Sequence, residues 1–141
     1  NGRTRVGTPF SHIVEECGGF VKECKKIVLG GPMMGITVPD TTAPILKNTN
    51  AILALTAKET KLPKTTACIR CGRCVSACPM RLQPLRLERA VHRKDVAEME
   101  ALDLLTCMEC GSCAFACPAK RPLVQSVRLG KGLLREAKAK K

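Results

Sequence analysis

The sequence has neither tryptophan nor tyrosine, and phenylalanine only at positions 10, 20 and 115, so aromatic residues make up 2% of the chain. A core built mainly on large rings, which bury the most surface per residue, is excluded. Long apolar runs are missing as well. The longest, residues 51–57, falls far short of the roughly 18 consecutive residues that a membrane-spanning helix needs. The opening Asn1-Gly2-Arg3-Thr4-Arg5 has no apolar stretch of the kind found in signal peptides, and no initiator methionine. The chain therefore reads as a piece of a longer protein. Acidic residues are scarce, 12 against 24 basic, for a formal net charge of +12. His12 and His92 are isolated in sequence and read as surface or helix-flank residues.

What is abundant is cysteine, ten in 141 residues, in a chain that is 45% hydrophobic and so is expected to fold. A secreted disulfide scaffold spreads its cysteines to close loops. Here eight of the ten fall in two dense arrays, Cys68, Cys71, Cys74 and Cys78-Pro79, then Cys107, Cys110, Cys113 and Cys117-Pro118. Each member of the second array lies 39 residues after its counterpart, and Gly72 pairs with Gly111, and Ala77 with Ala116, at the same offset. This is an internal duplication.

Each array is C-x₂-C-x₂-C-x₃-C-P, the bacterial ferredoxin run for [4Fe–4S] clusters. Three thiolates two residues apart on a tight turn can converge on three corners of one cubane. The fourth, read as sitting at a helix start, points away, and in two-cluster ferredoxins it ligates the other cluster. Carried over from the motif, this assigns Cys68, Cys71, Cys74 and Cys117 to one cluster and Cys107, Cys110, Cys113 and Cys78 to the second. Gly72 and Gly111 leave room for backbone N–H groups near sulfur. Val75, Ala77, Ala114, Ala116 and Leu123 are expected to line the clusters. The zinc alternative uses cysteine pairs split two and two, which is not this spacing.

The remaining sequence divides near residues 57–64. The first 57 residues carry 6 basic and 4 acidic side chains; the rest carry 18 and 8. We expect one domain over residues 1–57, a polar linker over 58–64, a helical domain over 65–135 and a frayed basic tail over 136–141. In the first part Thr8 reads as a helix cap with Pro9 at the first helical position. Phe10, Ile13, Val14 and Cys17 then form one helical face, with Cys17 buried. Residues 26–29, 36–38 and 51–55 read as strands. A Cys17–Cys24 disulfide is not expected. Gly30 to Gly35 lacks the form of a phosphate-binding loop and reads as a structural turn, in which Met33 and Met34 fill gaps. In the second part residues 82–91 read as a helix, Asp95 and Glu98 as a capping box, and Val96, Met99 and Leu102 as a buried stripe. A last helix spans residues 122–129, with Gly130 as its stop.

Beyond the clusters, Gly30-Gly31-Pro32-Met33-Met34-Gly35, Lys47-Asn48-Thr49-Asn50 and Ala51-Ile52-Leu53-Ala54-Leu55 resemble the C subunit of the Rnf/Rsx electron-transport complex. So do Cys68-Ile69-Arg70-Cys71-Gly72-Arg73-Cys74, Cys107-Met108-Glu109-Cys110-Gly111-Ser112-Cys113 and Arg121-Pro122-Leu123-Val124-Gln125. The resemblance implies an α+β architecture: a small β-grasp-like SLBB domain followed by an α-helical ferredoxin domain with two [4Fe–4S] clusters. It implies FMN and NADH binding only in an upstream part, with no catalytic residue in this segment. It also implies a peripheral place on the cytoplasmic face of the bacterial inner membrane. Other subunits of the complex, and a ferredoxin-like carrier, would be its partners. A cobalamin reductase of the propanediol-utilisation type has a similar layout and is the alternative. From another class, a zinc-bound structural or nucleic-acid-binding module is the alternative, but a chain with only three stacking rings does not suit a nucleic-acid partner. The basic surface reads instead as steering toward an acidic electron-transfer partner or anionic lipid headgroups. Arg70, Arg73, Arg81 and Arg121, placed around the clusters, are expected to favour their reduced state.

Overall fold

In the computed structural model, which describes residues 2–139, the chain folds as two compact units that divide between Leu62 and Pro63. The first holds helix α1 (Phe10–Glu16) and strands β1 (Lys26–Leu29), β2 (Ile36–Val38) and β3 (Ile52–Leu55). Both pairings are antiparallel, in the order β2-β1-β3, with Ile27 opposite Val38 and Ala54. The buried apolar side chains of this unit are Phe10, Ile27, Val28 and Ile45. Phe10 is held by an isolated bridge between Pro9 and Pro44, where Ile45 N–H donates to the Thr8 carbonyl at 2.8 Å. The first helical residue is Phe10, and Pro9, not Thr8, stands at the cap, with no side-chain cap bond. Cys17 at the helix end is exposed rather than buried, and Cys24 donates weakly to the Lys26 carbonyl at 3.5 Å. Among the described residues neither forms a disulfide.

Gly30 to Gly35 is the turn that joins β1 to β2, closed by Gly35 N–H donating to the Gly31 carbonyl at 2.8 Å. A methyl at Gly35 would stand 2.5 Å from Val28 Cγ1 and 2.6 Å from the Gly31 carbonyl oxygen. That crowding accounts for glycine here without any ligand. Met33 and Met34 are largely exposed rather than gap-filling.

The second unit is helical: α2 (Arg73–Ser76), α3 (Pro84–His92), α4 (Val96–Ala101), a 3₁₀ turn (Leu104–Thr106), α5 (Ser112–Ala116) and α6 (Leu123–Ala139). Pro84 opens α3, where its missing N–H costs nothing. Asp95 caps α4, its carboxylate accepting from Glu98 N–H at 2.9 Å. The reciprocal half of a capping box is not made, because the Glu98 carboxylate pairs with Arg93 and Arg86 instead. Leu87, Ala90, Val91, Met99, Leu104, Val127 and Leu134 form the main core, against which Val96 and Leu102 pack.

Gly130 does not stop the last helix. Helix α6 continues through it for 17 residues in all, so residues 136–139 are helical rather than frayed, and 140–141 lie outside the described residues. Gly130 is buried where α6 crosses its neighbours. A methyl there would lie 2.5 Å from Val91 Cγ2, 2.8 Å from Leu104 Cδ1 and 3.3 Å from the Met99 sulfur. Alanine would improve helix propensity by about 1 kcal/mol, but overpacking a filled core costs about 1–3 kcal/mol. Gly130→Ala should therefore lower the urea midpoint of the second unit, while Gly132→Ala, with nothing within 4 Å of the added methyl, should raise it or leave it unchanged. Far-UV circular dichroism in urea distinguishes the two.

Candidate metal centres

The two arrays fold alike because they need the same local backbone. Gly72 and Gly111 take φ of 74° and 84°, a left-handed conformation, and each turns the chain into a short helix, α2 or α5. The repeat extends to residues where a left-handed backbone is unfavourable. Arg70 and Glu109 have φ of 55° and 58°, and Arg81 and Lys120 have 54° and 51°. Such strain persists where the surroundings over-determine it. At 70 and 109 it turns the amide toward sulfur: Arg70 N–H donates to Cys68 Sγ and Glu109 N–H to Cys107 Sγ, both at 3.4 Å. At 81 and 120 it closes a turn over the Cys-Pro pair, with N–H to the Cys78 and Cys117 carbonyls at 3.1 and 3.2 Å.

The cysteines gather by crossing between the halves. One cavity is lined by Cys68, Cys71, Cys74 and Cys117, walled by Ile69, Val75, Leu85, Pro118 and Ala119. The other is lined by Cys107, Cys110, Cys113 and Cys78, walled by Leu82, Leu87, Met108, Val124 and Val127. Cys78 and Cys117 follow the short helices and do not begin them: Ala77 and Cys117 are the C-terminal caps of α2 and α5. Leucines and valines of α3 and α6 form the walls where Ala77, Ala114 and Ala116 were expected, and the stripes of those two helices were the signal. Cys74 of the first set and Cys113 of the second both pack on the buried cluster of Cys117, Ala119 and Leu123, so the two cysteine sets are neighbours.

The donor sets are soft. No carboxylate or imidazole lines the first cavity, and the one carboxylate at the second, Glu109, is engaged elsewhere. Lys131 Nζ donates to it at 2.7 Å and Arg128 Nε at 2.8 Å, and together they hold it below the usual carboxylate range. Burial pushes the Cys113 thiol up to about 11, with Cys107, Cys110 and Cys78 adding to the shift, and burial also raises Cys74. The Ser112 hydroxyl lowers Cys110. To ligate as thiolates, sulfurs packed this way would need a compensating positive charge, which bound iron would supply. Among the described residues no group of three or more His, Cys, Asp or Glu is arranged to hold a metal ion. A four-iron cluster would take its cysteines at separate irons and would not need them gathered around one ion.

Glu88 is a feature that sequence reasoning missed. It is 0% exposed, and its Oε2 accepts from Arg121 Nε at 2.7 Å, with the arginine side chain 25% exposed. The other oxygen has no hydrogen bond, and His92 Nε2 lies 3.9 Å from it. Arg121 is raised above its ordinary value by Glu88 first, then by Cys68 and Cys117. Its guanidinium thus serves buried Glu88 first and also lies within electrostatic reach of Cys68 and Cys117 of the first cavity. The signal was present: Pro84, Leu87, Glu88 and Val91 fall on one helical stripe, with a glutamate in an apolar position. His12, in contact with Glu16, and His92 are surface residues, as expected.

Residues 67–120 match the 4Fe-4S dicluster domain family. Over all 141 residues the chain is 51% identical to the C subunit of the ion-translocating oxidoreductase complex of Rhodobacter capsulatus, of which it spans 27%. Over 127 residues, 90% of the chain, it is 47% identical to the C subunit of the Na(+)-translocating ferredoxin:NAD(+) oxidoreductase complex of Acetobacterium woodii, of which the match covers 29%. Over 126 residues, 88% of the chain, it is 49% identical to the proton-translocating counterpart of Clostridium ljungdahlii, with 27% of that protein covered. The chain thus spans little more than a quarter of the length of these curated relatives. These matches do not favour the zinc module or the cobalamin reductase. No helix of the described residues is long and apolar enough to cross a membrane.

Removing Arg121 should leave Glu88 as an uncompensated buried charge, a loss of about 3–5 kcal/mol. Arg121→Met should therefore unfold at clearly lower urea, and Glu88→Leu/Arg121→Met should recover most of the loss. Equal midpoints for Arg121→Met and the parent would mean that water reaches Glu88.

Proposed function

We propose, from the premise that this chain belongs to the C-subunit family of ion-translocating oxidoreductase complexes, that its second unit relays electrons through two [4Fe–4S] clusters. The observation that carries this reading is the gathering of four cysteines, crossed between repeats, at each of two apolar cavities. Cys68, Cys71, Cys74 and Cys117 would hold one cluster, and Cys107, Cys110, Cys113 and Cys78 the other. Bound there, each cluster would supply a one-electron redox centre whose potential is set by exposure and by hydrogen bonds to sulfur.

The protein's own part is to hold and insulate. Amides of residues 70 and 109 point at Cys68 and Cys107, and that of Leu82 points at Cys78 Sγ at 3.4 Å. Such bonds favour the more negative, reduced state. Aliphatic side chains of α3 and α6 wall the second cavity, and Leu85 of α3 lines the first. Packing of Cys74 and Cys113 on the cluster of Cys117, Ala119 and Leu123 brings the two sites close, as a relay needs. No side chain is required to make or break a bond.

We read the first unit as an SLBB-like, β-grasp-related module. The partners are other subunits of the membrane complex, with association at the cytoplasmic face through them. FMN and NADH belong to the remaining length of the full-size protein, and the coupled flow between NADH and ferredoxin belongs to the whole complex.

Anaerobic purification followed by iron and acid-labile sulfide analysis should give about eight of each per chain, with reduced-cluster EPR signals after dithionite. Little iron after reconstitution, or zinc in its place, would end the electron-relay reading. Cys78→Ser should damage the cluster held by Cys107, Cys110 and Cys113 and spare the sequence-adjacent one. Pairing Cys78→Ser with Arg70→Gln and with Glu109→Gln would show which signal belongs to which site. Loss of the adjacent cluster instead would overturn the crossed ligand set.

A further inference from the structure

The two halves keep the same backbone but present opposite chemistry at the same position. Glu109, in the second loop, is clamped by Lys131 and Arg128 of α6, and Lys131 Nζ also donates to the Cys107 carbonyl at 2.6 Å. Its charge is spent inside the unit. The counterpart of Glu109 is Arg70, and that of Ser112 is Arg73. Both arginines are exposed, and neither side chain makes an ion pair among the described residues. Beside them Ile69 is 68% exposed and Val75 43%, and Cys71 is the one array cysteine classed as exposed. Ile69, Arg70, Cys71 and Val75 line the same cavity.

Resting on the relay reading, we propose that this face, over the site of Cys68, Cys71, Cys74 and Cys117, is the docking surface for an acidic electron-carrier protein, and that electrons cross to or from that carrier at this site rather than at the second. The step is a one-electron exchange: the carrier's centre loses one electron and this site gains it, or the reverse, with no proton or atom transferred. The occupant follows from charge complementarity. Two unpaired guanidinium groups flank a small apolar patch, which suits carboxylates ringing an exposed redox centre. The chain's net charge of +12 adds attraction at longer range.

The test exchanges the chemistry of the two loops. Arg70→Glu/Arg73→Ser gives the first loop the residues that the second already carries, and glutamate at position 109 already adopts φ of 58° there. Arg89→Glu/Arg135→Ser makes the same change in net charge at two exposed positions that line neither cavity. Both are made in the iron–sulfur-loaded chain, and iron, sulfide and visible absorbance are compared with the parent first. The probe is a reduced ferredoxin of net negative charge, mixed by stopped flow at low and high salt. The loop exchange should slow the second-order rate about tenfold at low salt, and the difference should shrink as salt screens it. The control should slow it by no more than about twofold. Equal slowing by both pairs would reduce the effect to overall charge and overturn the docking site, as would an unchanged rate for the loop exchange. If the loop exchange does not load with iron, Arg73→Ser alone, which leaves the strained turn at Arg70 unchanged, is measured against Arg135→Ser by the same criteria. A parent that holds no clusters would instead fail the relay reading itself, before any rate is measured.

Discussion

Bringing a sulfur from one half of the repeat into the cavity of the other is the constraint on which the second unit is built. Cys78 must leave its own array and reach the loop of residues 107–113, while Cys117 makes the opposite journey. The short helices end just before Cys78 and at Cys117, and each Cys-Pro pair is followed by a turn with left-handed backbone, at residues 81 and 120. Helices α3 and α6 then have a defined task, which is to wall the cavities and carry the core beneath them. With so few aromatic rings in the chain, this core is made of leucine, valine and methionine, and its tightness shows at Gly130, where even a methyl does not fit.

Charge is handled differently at the two cavities. Near the second, basic side chains of α6 turn inward and quench Glu109. Near the first, Arg121 is turned toward buried Glu88, while Arg70 and Arg73 remain exposed. The count of 24 basic residues therefore overstates the positive field in one place and understates it in another. Net charge describes the approach of a partner from a distance; the pairings decide where it settles.

Much of this was legible in the sequence because it rests on spacing. The duplication, the three strands and the cap at Asp95 follow from spacings that local chemistry enforces, whereas the crossed cysteine sets come from likeness to two-cluster ferredoxins. What was not legible depends on contacts between distant residues. Gly130 reads as a helix stop because glycine commonly ends helices, and only the approach of Val91 and Leu104 shows why it stands inside one. Cys17 falls on the apolar stripe of α1, yet the helix is too short to bury its last turn. The strained backbone at Arg70 and Glu109 has no local signature at all, since neither residue type favours that conformation.

The crossed lining of the cavities also bears on how the chain can be made. Synthesis runs from the amino end, and the first cavity has three of its cysteines by residue 74 but lacks the fourth until residue 117 has been added. The second has Cys78 early and waits for residues 107–113. Neither half is a site by itself. A ribosome halted between the repeats would carry an open set of thiols with no enclosure, exposed to oxygen and to stray metal. The two cysteine sets are complete only once residues 113 and 117 have been added, and the wall of the second cavity waits for Val124 and Val127.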